Sequence, residues 1–291
     1  MIELAHGPVG DSPWDWHAHP DVWLLIVLLV GGYVLAVRVW GATEAPNPAR
    51  PVGPRKAAAF GLGVFALWVG ADWPMHEISE NFLLSAHMIQ HMLFTFIAPP
   101  LLLMGLPPWL LRKLISPKVV GRFVRIATKP LVALVVFNAG IAITHWPTLV
   151  DLSLRVAVVH FLLHSFLVIT ALLMWWPVVG PLPETPRLSE PAKMLYLFGQ
   201  SILPTVPASF LTFADRPIYE FYTTVPRIWG TSVVVDQQVA GLIMKIGGGL
   251  LLWSIIAVVF FKWSAKEEQT TAEEIAWDDF ERELQALNLR K

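Results

Sequence analysis

The sequence predicts an all-α integral membrane protein with seven transmembrane helices, its N-terminus outside and its C-terminus cytoplasmic. Three observations carry this. Of 291 residues, 55% are hydrophobic and only 15% charged, with a mean hydropathy of +0.56, whereas soluble domains carry about a quarter charged residues. Apolar runs close to the ~20 residues needed to cross the hydrocarbon core recur along the chain. Lysine and arginine are distributed unequally between the segments that join those runs.

The runs lie at roughly 22–40, 57–73, 82–105, 130–147, 156–176, 194–213 and 237–261. Before the first, MIELAHGPVGDSPWDW lacks a basic region leading directly into an apolar core, so no cleaved signal peptide is expected. Residues 1–21 are read as an outer N-terminal segment, 22–262 as a seven-helix transmembrane domain and 263–291 as a charged, partly helical cytoplasmic tail. Arg38, Arg50, Arg55 and Lys56 follow the first run. Arg112, Lys113, Lys118, Arg122, Arg125 and Lys129 follow the third with no acid among them. Opposite loops hold Arg155, Arg216 and Arg227, so the positive-inside rule sets the orientation. Pro99 with Pro100, Pro107 with Pro108, and Pro204 with Pro207 predict kinks or broken turns covered by neighbouring helices. Gly247, Gly248 and Gly249 predict a close helix approach. In the tail, Ile275, Phe280, Leu284 and Leu287 recur at helical spacing and predict a short cytoplasmic helix. Several of the fourteen tryptophans sit at run ends, as in an interfacial belt. There is no internal repeat. The absence of cysteine excludes disulfides, thiolate ligands and a cysteine nucleophile.

Threaded this way, the histidines sort to one side. His6, His17 and His19 fall in the outer segment and His76 in the loop after the second run. His87 and His91 lie in the first turns of the third, His145 at the outer end of the fourth, and His160 and His164 in the first turns of the fifth. Each i,i+4 pair shares one helix face, its rings about 6 Å apart. Two facing pairs can supply four nitrogens to one or two ions while each helix keeps its backbone bonds. Asp72, Glu77, Glu80 and Asp236 are expected at the same level, as ligands or as acceptors for the second imidazole N–H. Met75, Met88, Met92 and Met244 lie at similar depth, and imidazole with thioether suits copper, above all Cu(I).

Plainer readings stand beside this one. Histidine pairs can act as interhelical hydrogen-bonding glue, at about 1 kcal/mol per bond. Methionine is ordinary filler in apolar helices, and HAH at 17–19 reads equally as metal-binding or solvated. Lys245, roughly 13 Å into the last run, reads as a snorkelling or acid-paired lysine or as a mechanistic one.

The stretches SAHMIQHMLFTFIAPPLLLMGLP, ITHWP followed by HFLLHSFLVITALLMWWPVVG, and VVVDQQVAGLIMKIGGG resemble the multi-spanning CtaG family of cytochrome c oxidase assembly factors. The resemblance covers roughly residues 14 to 262. It implies a bacterial plasma-membrane protein, not an enzyme, that helps copper reach the catalytic subunit of a haem–copper oxidase. Carried over by position, it implies His87, His91, His145, His160, His164 and Asp236 as site residues; His76 and Asp72 join the expected metal set from their placement. Lys245 departs from the aromatic residue expected after the methionine. Expected partners are the oxidase catalytic subunit, a periplasmic copper chaperone and the lipid bilayer, without nucleic acid. Competing readings are a b-type haem protein with His91 and His164 as axial ligands, a membrane metalloenzyme, and a metal-free scaffold. No HExxH is present for the enzyme.

Overall fold

The computed structural model describes residues 12–288, and the described chain is helical throughout, without strands. His6, expected in the outer segment, lies outside the described residues. Helix α1 (Pro20–Glu44) is followed by α2 (Pro54–Ala71) and the short α3 (Met75–Asn81). Helix α4 is continuous but not uniform: Leu84–Met92 is α-helical, Leu93–Ile97 forms a π-turn and Ala98–Gly105 resumes the α-helix. Next come α5 (Pro108–Leu114), α6 (Lys118–Ala127), α7 (Pro130–Thr144), α8 (Pro147–Arg155) and α9 (Ala157–Val179). Helix α10 comprises Glu190–Ile202 and Thr205–Phe213, broken at Leu203 and Pro204, and α11 is the single turn Phe221–Thr224. Helix α12 joins Val233–Leu242, a second π-turn at Ile243–Gly247, and Gly248–Asn288.

Among the described residues five helices are long and apolar enough to cross a membrane, and seven if each of two bent pairs counts as one span. The pairs are α2 with α3, bent by 41°, and α6 with α7, bent by 82°. At 15 residues, α7 is about 22 Å long, shorter than a hydrocarbon core of about 30 Å. The connection after the third run, expected as a loop, contains α5 and α6. Pro117 and Pro130 bound α6, which carries Lys118, Arg122 and Arg125 beside the exposed Val119, Phe123 and Ile126. That distribution is the pattern of a helix lying in a membrane interface. The tail is helical through Asn288. It continues α12 without interruption because neither glycine nor proline occurs after Gly249. The side chains of Ile275 and Leu287 lie outside the described residues.

The core is built where α4, α7, α9, α10 and α12 meet, around Phe137, Leu167, Met174, Trp175, Leu197 and Leu252. By contrast α1 turns Leu24, Val27, Leu28, Leu35 and Val39 outward, as a lipid-facing helix does. Helices α2 and α4 approach closely because Gly63 and Gly105 lack side chains. A Cβ on Gly63 would meet Leu102, and one on Gly105 the Phe60 backbone.

The π-turn in α4 follows from its prolines. Pro99 has no N–H to give to the carbonyl of Thr95, four residues earlier. Trp175 of α9 supplies the missing donor, its Nε1 lying 2.8 Å from that carbonyl. The Thr95 hydroxyl in turn donates to the His91 carbonyl at 2.6 Å. The helix therefore stays intact through the proline pair while the residues beyond Met92 turn to a new face.

Candidate metal centre

The site begins with how α4 starts. Both carboxylate oxygens of Asp236, on α12, accept backbone N–H groups at its first turn: Leu84 at 2.9 Å and Ser85 at 3.0 Å. A negative group satisfying free donors at a helix N-terminus is favourable on both hydrogen-bonding and dipole grounds. Arg227 adds a guanidinium contact at 3.2 Å. This fixes the phase of α4 and aims His87 and His91 inward, where they are 4% and 6% exposed.

From α9, His164 meets them. Its Nε2 lies 3.1 Å from Nε2 of His91, and ligand nitrogens of His87, His91 and His164 all fall within 4.8 Å of one another. Two nitrogens of a tetrahedral site with metal–nitrogen bonds near 2.05 Å would be about 3.3 Å apart, a spacing that His91 and His164 already have and that the trio as a whole would reach by drawing together. Nδ1 of His87 is buried without a hydrogen-bond partner. Deep in an apolar bundle this is costly unless the site has an occupant.

Further groups connect this cluster to the outer end. His160, one turn before His164, has its Nε2 2.7 Å from Oε1 of Glu80, and Nδ1 of His76 is 2.9 Å from the same oxygen. Glu80 is 1% exposed. The rings of His19 and His76 lie 4.4 Å apart, and His17 and His19 approach Glu77 at 3.1 and 3.3 Å. Imidazoles thus run from the outer segment through His76 and His160 to the buried trio. A cavity of about 830 Å³ flanks this run between α1, α2 and α9. It has His17, His19, His76 and His160 at one end and Leu29, Phe94 and Val168 deeper in.

Not every expected residue is in the cluster. Asp236 is withdrawn from it by the backbone donors and Arg227, so it orients α4 and is not placed as a ligand. Asp72 is withdrawn too: its Oδ2 accepts from the indoles of Trp23 at 2.9 Å and Trp68 at 2.7 Å, joining α1 to α2. His145 is near but to one side, its ring 5.2 Å from that of His91. His76 reaches toward the trio through Glu80 and His160. Glu80 and Glu77 are the acids that meet imidazole, and the HAH segment joins them where solvation was the competing reading. Their signal was in the sequence, since Glu80 lies four residues after His76 and the two share a face of α3. Lys245 is neither acid-paired nor at the cluster; its Nζ lies 5.1 Å over the Phe213 ring and 3.5 Å from the Ser209 hydroxyl.

Helices suited to crossing a membrane, packed around a cluster of imidazoles, define a multi-spanning membrane protein with a histidine group inside its helical bundle. The chain belongs to the cytochrome c oxidase caa3 assembly factor family (Caa3_CtaG), whose pattern it matches over residues 31–266. It is 24% identical over 208 residues to uncharacterized proteins of Mycobacterium bovis and Mycobacterium tuberculosis, covering 65% of this chain and 31% of each of theirs. A Mycobacterium leprae protein, also uncharacterized, is 21% identical over the same length. The chain thus spans about a third of the length of these curated relatives. No solved structure matches it.

Proposed function

We propose that the protein is a non-enzymatic assembly factor of the bacterial plasma membrane. It takes up copper, favoured as Cu(I), at the histidine cluster near its outer face and hands it to the catalytic subunit of a haem–copper oxidase. The observation that carries this reading is the convergence of His87, His91 and His164 from two helices onto one buried point. Three imidazoles converging on one point suit a soft or borderline cation, whereas magnesium or calcium would require oxygen ligands. Copper is cargo here, and the outward series of histidines and carboxylates supports an entry route. A bis-imidazole haem fits less well. Its axial nitrogens would stand about 4 Å apart across an iron, twice the ~2 Å metal–imidazole distance, with a porphyrin plane between them. His91 and His164 are closer than that, and His87 shares the space. Copper counted by mass spectrometry, in protein purified without chelators or a histidine tag, tests the proposal. Metal-free wild-type protein after exposure to copper would end it.

The reading uses seven spans, with the N-terminus and the cluster outside. Single cysteines at Thr223 and Ser116, both exposed, check it with an impermeant thiol reagent on intact cells. Thr223→Cys is expected to label and Ser116→Cys to remain unlabelled; the reverse pattern would invert the bundle. Ser79 is fully buried and unsuited to this test.

Glu80 acts on the trio through His160, whose ring centroid is 4.0 Å from that of His164. Glu80→Gln is expected to lower copper affinity by about 10–100-fold without abolishing binding, the usual range for a residue that orients a ligand. An unchanged affinity would show that the carboxylate is only structural.

A further inference from the structure

On the far side of His91 from His164 lies a second, much smaller cavity, about 20 Å³, enclosed by α4, α10, α12 and the end of α7. A space of that size holds one water-sized occupant. Its walls include His91, His145, Met92 and Met244, together with the polar Thr95, Gln200 and Ser201. His145 is 7% exposed, and its Nδ1 lies 2.8 Å from the Ile141 carbonyl, which only an N–H can satisfy. That bond places the proton on Nδ1 and leaves Nε2 with a free lone pair. Nε2 has no hydrogen-bond partner, nor does the buried Nδ1 of His91.

The two methionines reach this space through the two π-turns. Met92 is the residue immediately before Leu93–Ile97, and Met244 lies within Ile243–Gly247. A π-turn inserts one residue and redirects the side chains around it, and such turns are concentrated at functional sites. Here one occurs on each of two facing helices, and each places a methionine against the same small volume. Gly248 borders the same volume, and a Cβ there would be in ordinary contact with the Met92 sulfur at 3.6 Å.

We infer that His145 and the thioethers of Met92 and Met244 form a second, inner station for one soft cation, with His91 between it and the outer trio. The inference rests on the copper-handling reading and deepens it from one site to two in sequence. Gln200, whose Nε2 is also buried without a partner, lines the same cavity and could hold a water together with His145 Nε2, so the case for a cation rests on the two methionines. Thioethers accept hydrogen bonds weakly, so a water facing two of them would be poorly held, while nitrogen and thioether together are the donor set Cu(I) prefers. The ring of His91 stands 5.1 Å from His164 and 5.2 Å from His145, so one imidazole borders both stations.

The test loads full-length protein in detergent with Cu(I) under anaerobic conditions, counts copper per chain and reads its ligands by X-ray absorption. Wild type is expected to hold two coppers per chain with sulfur in the coordination shell. Met92→Leu combined with Met244→Leu, a change that conserves volume, is expected to drop the count to one and remove the sulfur signal. His164→Ala is expected to lose one copper and keep the sulfur. Wild type with nitrogen ligation only, or a count unmoved by the methionine replacements, overturns the inner station and leaves the outer trio standing. Wild type that binds no Cu(I) overturns both.

Discussion

Replacing His91 or His164 by alanine is expected to empty the outer copper site and to depress oxidase activity in cells while the variant protein still accumulates in the membrane. Magnitudes separate this from a purely structural role. Losing one interhelical imidazole bond costs about 1 kcal/mol, against a total stability on the order of 5–15 kcal/mol. Losing one of three converging ligands should weaken copper binding by more than the ~100-fold upper range attached to a supporting residue. Excess copper in the medium is expected to restore part of the activity. If the histidines only joined helices, the variants would be less abundant, the metal content of the surviving protein would not change, and copper would not rescue it. Full oxidase activity in a strain carrying both substitutions would defeat copper delivery.

The second large effect is expected at Asp236, which is 1% exposed and lies outside the histidine trio. Asp236→Ala leaves the Arg227 guanidinium without its carboxylate and two backbone N–H groups of α4 without acceptors. Breaking a buried ion pair by removing one partner costs about 3–5 kcal/mol, and losing a helix cap about 1 kcal/mol more. Because Arg227 is 24% exposed, the lower end of the first range applies. The variant should therefore show a marked loss of yield and of thermal stability in detergent, with copper lost as a consequence of disordered α4. Asp236→Asn keeps an oxygen acceptor and should fall between. A variant that folds with wild-type stability yet binds no copper would return Asp236 to the ligand set.

Much of this architecture is legible from residue spacing. The i,i+4 pairs at 87/91 and 160/164, together with basic residues concentrated in one set of loops, suffice to bring His91 opposite His164 at one end of a helical bundle. The choice among acids is not legible in the same way. Asp72, Glu77, Glu80 and Asp236 all belong to the same end, and only tertiary placement decides which meets an indole, an imidazole or a backbone amide. The π-turns escape because a 3.6-residue period carried through Leu93–Ile97 or Ile243–Gly247 assigns the following side chains to the wrong face. Proline pairs announce a disturbance in α4, but the donor that repairs it, Trp175, is 80 residues away. The division between membrane span and tail at Lys262 marks a change of composition only; the backbone does not register it.

The π-turn in α12 also sets a rotational phase. From Gly248 to Asn288 the helix runs without a break, about 60 Å at 1.5 Å per residue. Trp277, Phe280 and Leu284, all exposed, therefore point in a direction fixed at Ile243–Gly247. Every residue added to or removed from that turn advances the axis by about 1.5 Å and rotates everything beyond it by about 100°. Met244 and the tail are consequently geared together: the same one-residue change that would swing the thioether out of its cavity would turn those three side chains more than a quarter circle at the other end of the rod.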